Sequence, residues 1–232
     1  MDKLSSGCSS INSLLKGGFS FNQISLVYGE ASSGKTILTV QCAIEAARQK
    51  FKVFYIDSDQ SFSPHRLESL PVNPVSLEQI IIFRPGDFQD QIGITETFEN
   101  LMTKTRTLLV IDSITGLYRA SLGRRKETVV YNRELNRELA YLSDLSKRFP
   151  LVTILTGEVH SHPGPGEWSI EPVATRSLEH WSGTIARLRH TAKADVRELV
   201  LEKLDGRTVQ SPRALFRITS EGLEDVQSAQ IP

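Results

Sequence analysis

Eight consecutive residues, Gly29-Glu30-Ala31-Ser32-Ser33-Gly34-Lys35-Thr36, fit the pattern G-x-x-x-x-G-K-[ST] without a mismatch. Residues of these types in this order are suited to holding a chain of phosphates. Glycine lets the backbone curl so that successive N–H groups converge on phosphate oxygens. A helix opening at the end of the loop adds partial positive charge. Lys35 would neutralise the outer phosphates, and Thr36 offers a hydroxyl to Mg²⁺. The implied ligand is a nucleoside triphosphate, with ATP and Mg²⁺ the expected case. The plain alternative is a Gly-Ser turn that happens to precede a helix. The flanks argue against it: residues 24–28 read as a β-run ending on glycine, and Ile37, Leu38, Val40, Ala43, Ile44 and Ala47 follow at helical spacing.

Asp112 is the second candidate, because it ends the apolar run 107–111. By itself an Asp at that place is a turn or cap residue. Downstream of a phosphate loop, a carboxylate closing a buried strand can hold Mg²⁺ or its water, alongside Thr36. Other reactive types say less. Cys8 and Cys42 have no Cys or His at ligand spacing, so they offer neither a disulfide framework nor a zinc site. Cys42 falls within an apolar helical pattern, as a buried free thiol would. His160 and His162 lack a third ligand at matched spacing, which is too few for a metal site. Arg187, Arg189, His190 and Lys193 form a basic run that reads as a turn between strands, and His180-Trp181 reads as a packed corner.

These residues need a scaffold, and the chain has the composition for one. It has 232 residues, 39% hydrophobic and 23% charged, the profile of an ordinary globular protein. The economical reading is one domain over 1–232. Lys and Arg number 27, Asp and Glu 27, and the formal net charge is zero. Any nucleic-acid contact must then come from local basic patches, since global attraction to a polyanion is absent. The polar N-terminus lacks an apolar signal region, and no run approaches the ~18 apolar residues of a membrane span, so a cytoplasmic location is expected.

Apolar runs at 24–28, 52–56, 79–83, 107–111 and 151–155 read as strands. Between them, helical spacing marks 35–47, 64–70, 88–103 and 127–149, the last carrying Leu135, Leu139, Leu142, Leu145 and Phe149 on one face. Alternation of strands and helices implies an α/β fold whose mostly parallel sheet is flanked by helices. Residues 161–175, rich in Pro, Gly and His, read as a mobile loop. Beyond them, 184–188, 197–204 and 214–219 look like strands without intervening helices. Such strands are expected to pair antiparallel, because short connections cannot make a parallel crossover.

Several ordered blocks together resemble one family. Leu4-Ser5-Ser6-Gly7-Cys8, Leu14-Leu15-Lys16-Gly17-Gly18 and the stretch 24–36 look like the opening of a RecA/RadA-type recombinase ATPase core. Tyr55-Ile56-Asp57-Ser58-Asp59, Asp112-Ser113-Ile114-Thr115-Gly116-Leu117-Tyr118-Arg119, Leu155-Thr156-Gly157-Glu158-Val159 and the closing stretch 211–225 are similar to later blocks of that core. With 1–22 as lead-in, the N-terminal helical DNA-binding domain of full recombinases is expected to be absent. A bare core of this kind is similar to the archaeal RadB-type branch. The resemblance implies a RecA-like P-loop ATPase core with antiparallel C-terminal strands over 184–225, and a role in homologous recombination and DNA repair.

It also assigns roles, with two departures. Asp59 stands where the family carries the Glu that positions the attacking water, and aspartate is one methylene shorter, by about 1.5 Å, where reach comes before pKa. Glu158 replaces a Gln sensor, and a carboxylate facing phosphates is repelled unless Mg²⁺, Arg or Lys intervenes. Nucleotide binding with slow hydrolysis is the expectation. Two loops of the family face single-stranded DNA. The first maps to 119–133, with Arg119, Arg124, Arg125, Lys126 and Arg133; its plain alternative is a solvated charged loop. The second maps to 161–175, with Trp168 as a base-stacking platform or an incidental aromatic. Lys203 and Arg207 map to positions where filament-forming relatives reach a neighbouring subunit's γ-phosphate. The implied partners are single-stranded DNA and a main RadA-type recombinase or another repair protein, with homo-oligomers also open. The rival readings are an autonomous DNA-dependent strand-exchange motor and a KaiC-like signalling ATPase without nucleic acid.

Overall fold

The strands that the sequence marks as unbroken apolar runs lie together at the centre of a ten-stranded sheet. The computed structural model describes residues 3–62, 77–123, 125–163 and 168–226, and only the backbone of 125–127, 161–163 and 168–170. The expected helix at 64–70 lies outside the described residues.

A two-stranded pair, β1 (Lys3–Leu4) and β2 (Phe19–Ser20), brackets helix α1 (Ser9–Leu14). The main sheet begins with β3 (Ile24–Gly29), followed by helix α2 (Lys35–Arg48), β4 (Lys52–Asp57) and β5 (Ile80–Phe83). Helix α3 (Phe88–Leu101) starts where the Asp87 side chain accepts from the Asp90 N–H at 2.8 Å, a side-chain N-cap. Then come β6 (Thr107–Asp112), α4 (Gly116–Ser121), the long α5 (Arg125–Arg148) and β7 (Leu151–Gly157). After these, β8 (Val159–Pro163) and β9 (Trp168–Pro172) form a separate antiparallel ribbon, and α6 (Thr175–Trp181) leads into β10 (Ser182–His190). Strands β11 (Val196–Leu204), β12 (Arg207–Thr208), β13 (Arg213–Thr219) and β14 (Gly222–Asp225) complete the chain.

The strand order is β14-β13-β11-β10-β3-β7-β6-β4-β5, with β12 paired to β11. From β10 to β5 every neighbour is parallel; from β10 to β14 every neighbour is antiparallel. Every residue of β3, β6 and β7 is buried, as strands covered on both faces must be. Side chains alternate between two layers. Val27, Val53, Tyr55, Leu108 and Val110 pack with Leu38, Ala43 and Ala47 of α2. Leu26, Phe54, Ile56, Leu109 and Ile111 pack on the opposite face with Leu135, Leu139, Leu142 and Leu145 of α5. The fold class read from the sequence holds.

Three local expectations are corrected. Residues 161–175 are not one loop: β8 pairs with β9 from Val159↔Pro172 to Pro163↔Trp168, and α6 opens at Thr175. The strand expected at 184–188 does pair antiparallel with β11, but its other edge is parallel to β3, with Leu188 opposite Gly29. The short-loop argument constrained only how the last strands pair with one another. Finally, the segment 119–133 that reads as a charged loop is largely helical: α4 ends in it at Ser121 and α5 begins in it at Arg125.

Candidate functional site

Four strand ends converge at the carboxyl edge of the sheet, where open α/β sheets hold ligands. Gly29 ends β3, Asp57 ends β4, Asp112 ends β6 and Gly157 ends β7. The sequence Gly29–Thr36 makes the turn from β3 to α2 at close quarters. A Cβ on Gly29 would come 2.4 Å from the Leu188 carbonyl oxygen, and Gly34 has a φ of +104° with Ile218 Cδ1 2.9 Å from its virtual Cβ. Only glycine fits either place. Ser32, which has a side chain, sits in the left-handed region at φ 58°.

Lys35 Nζ donates to the carbonyls of Gly29 and Glu30, both at 2.9 Å. Burial lowers its pKa, while the charges of Asp112, Asp59 and Glu158 act in the opposite direction. The loop opens onto a cavity of about 330 Å³ lined by Lys35, Thr36, Ile37, Ser61, Arg197 and Ile218, with Ser32 and Gly34. Ser33 Oγ is buried without a hydrogen-bond partner among the described residues. A curled backbone at a helix start, an ammonium group and an orphan hydroxyl fit a polyphosphate.

Asp112 is 1% exposed. Its Oδ2 accepts from the Tyr55 hydroxyl at 2.9 Å and its Oδ1 from the Thr156 hydroxyl, so the carboxylate is fixed in orientation. Thr39 Oγ1 lies 2.8 Å from Tyr55 Oη and extends this chain of hydroxyls into α2. Each Asp112 oxygen keeps a lone pair. Together with Thr36, whose Oγ1 is 3.3 Å from Ser61 Oγ, it supplies the hard oxygen donors that Mg²⁺ takes.

Asp59 Oδ1 accepts from Ser113 Oγ at 2.9 Å, and its N–H donates to the Asp112 carbonyl at 3.1 Å. Burial raises the Asp59 pKa; the Ser113 hydrogen bond opposes this, and the charges of Asp112 and Glu158 reinforce it. Glu158 receives Arg119: Nη1 lies 3.2 Å from Oε2. Its N–H donates to Thr115 Oγ1 at 2.9 Å. Two residues with separate expected roles, sensor and DNA contact, therefore form one ion pair between α4 and the end of β7. The Arg that could offset the Glu158 charge is present.

The remaining expected DNA contacts divide. Arg133 is exposed on α5. Arg124 and the side chains of Arg125, Lys126 and Trp168 lie outside the described residues, as do those of His162 and the stretch 164–167. Lys203 donates to the Glu179 carbonyl at 3.0 Å, at the opposite end of β11 from Arg197 and the phosphate loop. Sequence reasoning missed several residues of the site. Tyr55, Thr156 and Ser113 hold the carboxylates. His190 Nε2 and Arg197 Nη2 reach the Ala31 and Ser32 carbonyls at 3.1 and 3.2 Å. No local spacing signals a contact between residues so far apart in the chain.

A parallel sheet with a phosphate loop after its central strand, a buried carboxylate two strands away and an antiparallel C-terminal extension defines a RecA-like P-loop ATPase core. A Rad51 family profile matches residues 1–226, and the chain belongs to that family. It is 34% identical over 229 residues to the DNA repair and recombination protein RadB of Thermococcus kodakarensis, covering 97% of this chain and 100% of that one. Against the protein of that name from Methanococcoides burtonii, identity is 29% over 226 residues, 96% of this chain and 97% of the other. A crystal structure of the RadB recombinase superposes with a TM-score of 0.80 at 33% identity, covering 97% of this chain and all of that one. The resemblance carried by the sequence blocks thus extends along nearly the whole chain.

Proposed function

We propose that this chain is an ATP- and DNA-binding accessory protein of homologous recombination and DNA repair. It acts as a single ATPase core, hydrolyses ATP slowly, and assists or regulates a main strand-exchange recombinase in the cytoplasm. Among the described residues no helix is long and apolar enough to cross a membrane. The Gly29–Thr36 backbone and Lys35 hold the phosphates, and Thr36 and Asp112 hold Mg²⁺, which when bound would offset phosphate charge. Asp59 is the candidate base toward the attacking water. Arg119, Arg124, Arg125, Lys126, Arg133 and Trp168 are the candidate contacts to single-stranded DNA.

One observation carries the slow-hydrolysis reading. The Asp59 carboxylate, one methylene short, is tied to Ser113 Oγ at 2.9 Å; Arg119 offsets the Glu158 charge, so the reading rests on Asp59. Steady-state phosphate release with and without single-stranded DNA is the test. The expected outcome is slow turnover, weakly stimulated by DNA; turnover matching that of a full recombinase measured alongside would establish an autonomous motor instead.

A further inference from the structure

A phosphate cradle points its N–H groups inward, so its carbonyls must face away from the ligand and find partners of their own. Lys35 takes the Gly29 and Glu30 carbonyls, but for Ala31 and Ser32 the partners come from far along the chain. Strand β10 runs alongside β3, which brings its last residue, His190, to the outside of the loop. His190 stands directly opposite Arg197 in the β10–β11 ladder. The two side chains reach consecutive carbonyls, Ala31 at 3.1 Å and Ser32 at 3.2 Å. A carbonyl oxygen can only accept, so His190 carries its proton on Nε2.

The second of the contacted residues gives the contacts a purpose. Ser32 holds a left-handed backbone at φ 58°, a conformation that persists in a non-glycine residue only when its surroundings impose it. Arg197 is itself fixed, since its Nη1 donates to the Ala194 and Val196 carbonyls at 2.7 and 3.0 Å. It also lines the same cavity as Lys35 and Thr36, and its Nε is buried without a partner among the described residues.

We propose that His190 and Arg197 form a clasp that holds the Ala31–Ser32 peptides in the phosphate-binding geometry, making both of them positioning residues for nucleotide binding. The proposal rests on Gly29–Thr36 being the phosphate site. The clasp acts through the loop backbone, so it governs affinity for any polyphosphate rather than for a particular base. A C-terminal hairpin thereby sets the shape of an N-terminal loop.

Calorimetric titration of ATP and of inorganic tripolyphosphate against the full chain and its variants tests this. Arg197→Ala is expected to weaken both ligands in the same ratio, about tenfold, the scale of one lost hydrogen bond to a constrained group. His190→Ala is expected to weaken both by a few-fold, and His190→Gln, which keeps an N–H at similar reach, to restore them. The double variant should lose less than the product of the single losses, since either loss already loosens the same peptides. The melting temperature without ligand should stay close to that of the unaltered chain, while the shift produced by ATP shrinks, which a merely structural role would not give. If Arg197→Ala binds tripolyphosphate normally, or if only ATP is weakened, the clasp is overturned while the phosphate-loop reading stands. If the unaltered chain binds neither ligand, both fall.

Discussion

In the proposed reading, Asp59 as base is limited by reach rather than by basicity. Its Oδ1 is bound to Ser113 and packed so tightly over Gly116 that a Cβ there would lie 2.2 Å away. Burial already raises its pKa, the direction that suits a base working near neutral pH. Lengthening the side chain should therefore help. Asp59→Glu is expected to raise ATP turnover roughly tenfold, a modest part of the ~10²–10⁴ that a well-placed base contributes. Phosphate release at saturating ATP measures it. An unchanged rate would move the limit to Glu158, whose charge is offset but not removed by Arg119. At this scale the sequence was informative where chemistry is local. The phosphate loop and Asp112 could be read because their partners are neighbours in the motif or the strand. Tyr55, Thr156, His190 and Arg197 could not, because sheet register alone brings them to the site.

Helices α3 and α5 meet the end of β4 through a buried polar chain rather than through apolar packing alone. Ser58 Oγ donates to Gln91 Oε1 at 2.8 Å, Gln91 Nε2 donates to both Glu138 oxygens at 3.1 and 3.2 Å, and Thr95 Oγ1 donates to Glu138 at 3.0 Å. Burial pushes the Glu138 carboxyl up to about 7; the bonds from Gln91 and Thr95 oppose this, and the Glu96 charge adds to it. A carboxyl with a raised folded-state pKa favours the native state fully below its unfolded value, near 4.5, and loses that contribution as pH climbs through about 7. The loss is on the order of 3 kcal/mol. Glu138→Gln removes the titration, so its stability relative to the unaltered chain should rise by roughly that amount between pH 5 and pH 8. Urea unfolding at the two pH values measures the gap, and a constant gap would show that Glu138 stays ionised throughout. The apolar side of α5 was plain in its heptad-like leucines, yet no spacing in the sequence singles out Glu138 as buried. The same blindness hid α4 and α6, each under two full turns, too short for periodicity to register. Helix α6 also starts after Ala174, without a side-chain cap to announce it.

The molecule as a whole has no net charge, so its affinity for a polyanion must be set by where the cations sit. The proposed DNA face draws on five residues of the segment 119–133, Arg119, Arg124, Arg125, Lys126 and Arg133. One of them is engaged: Arg119 is paired to Glu158. Each phosphate neutralised on a single strand contributes about −0.7 to the slope of log affinity against log salt. Four such neutralisations, one each by Arg124, Arg125, Lys126 and Arg133, would give a slope of about −3, and Trp168 stacking on a base would add affinity without changing it. Glu158→Gln releases Arg119 and should steepen the slope by about 0.7, while costing little stability because the pair is half exposed. Fluorescence anisotropy of a labelled oligonucleotide across a salt series reads both values. A slope near zero, in the variant as in the unaltered chain, would mean that these cations face solvent or protein. The chain would then fit the reading of an ATPase that switches protein partners. A slope near −3 that steepens in the variant would instead place Arg119 within reach of the DNA once Glu158 no longer holds it, so that the ion pair between α4 and the end of β7 tunes the DNA contact.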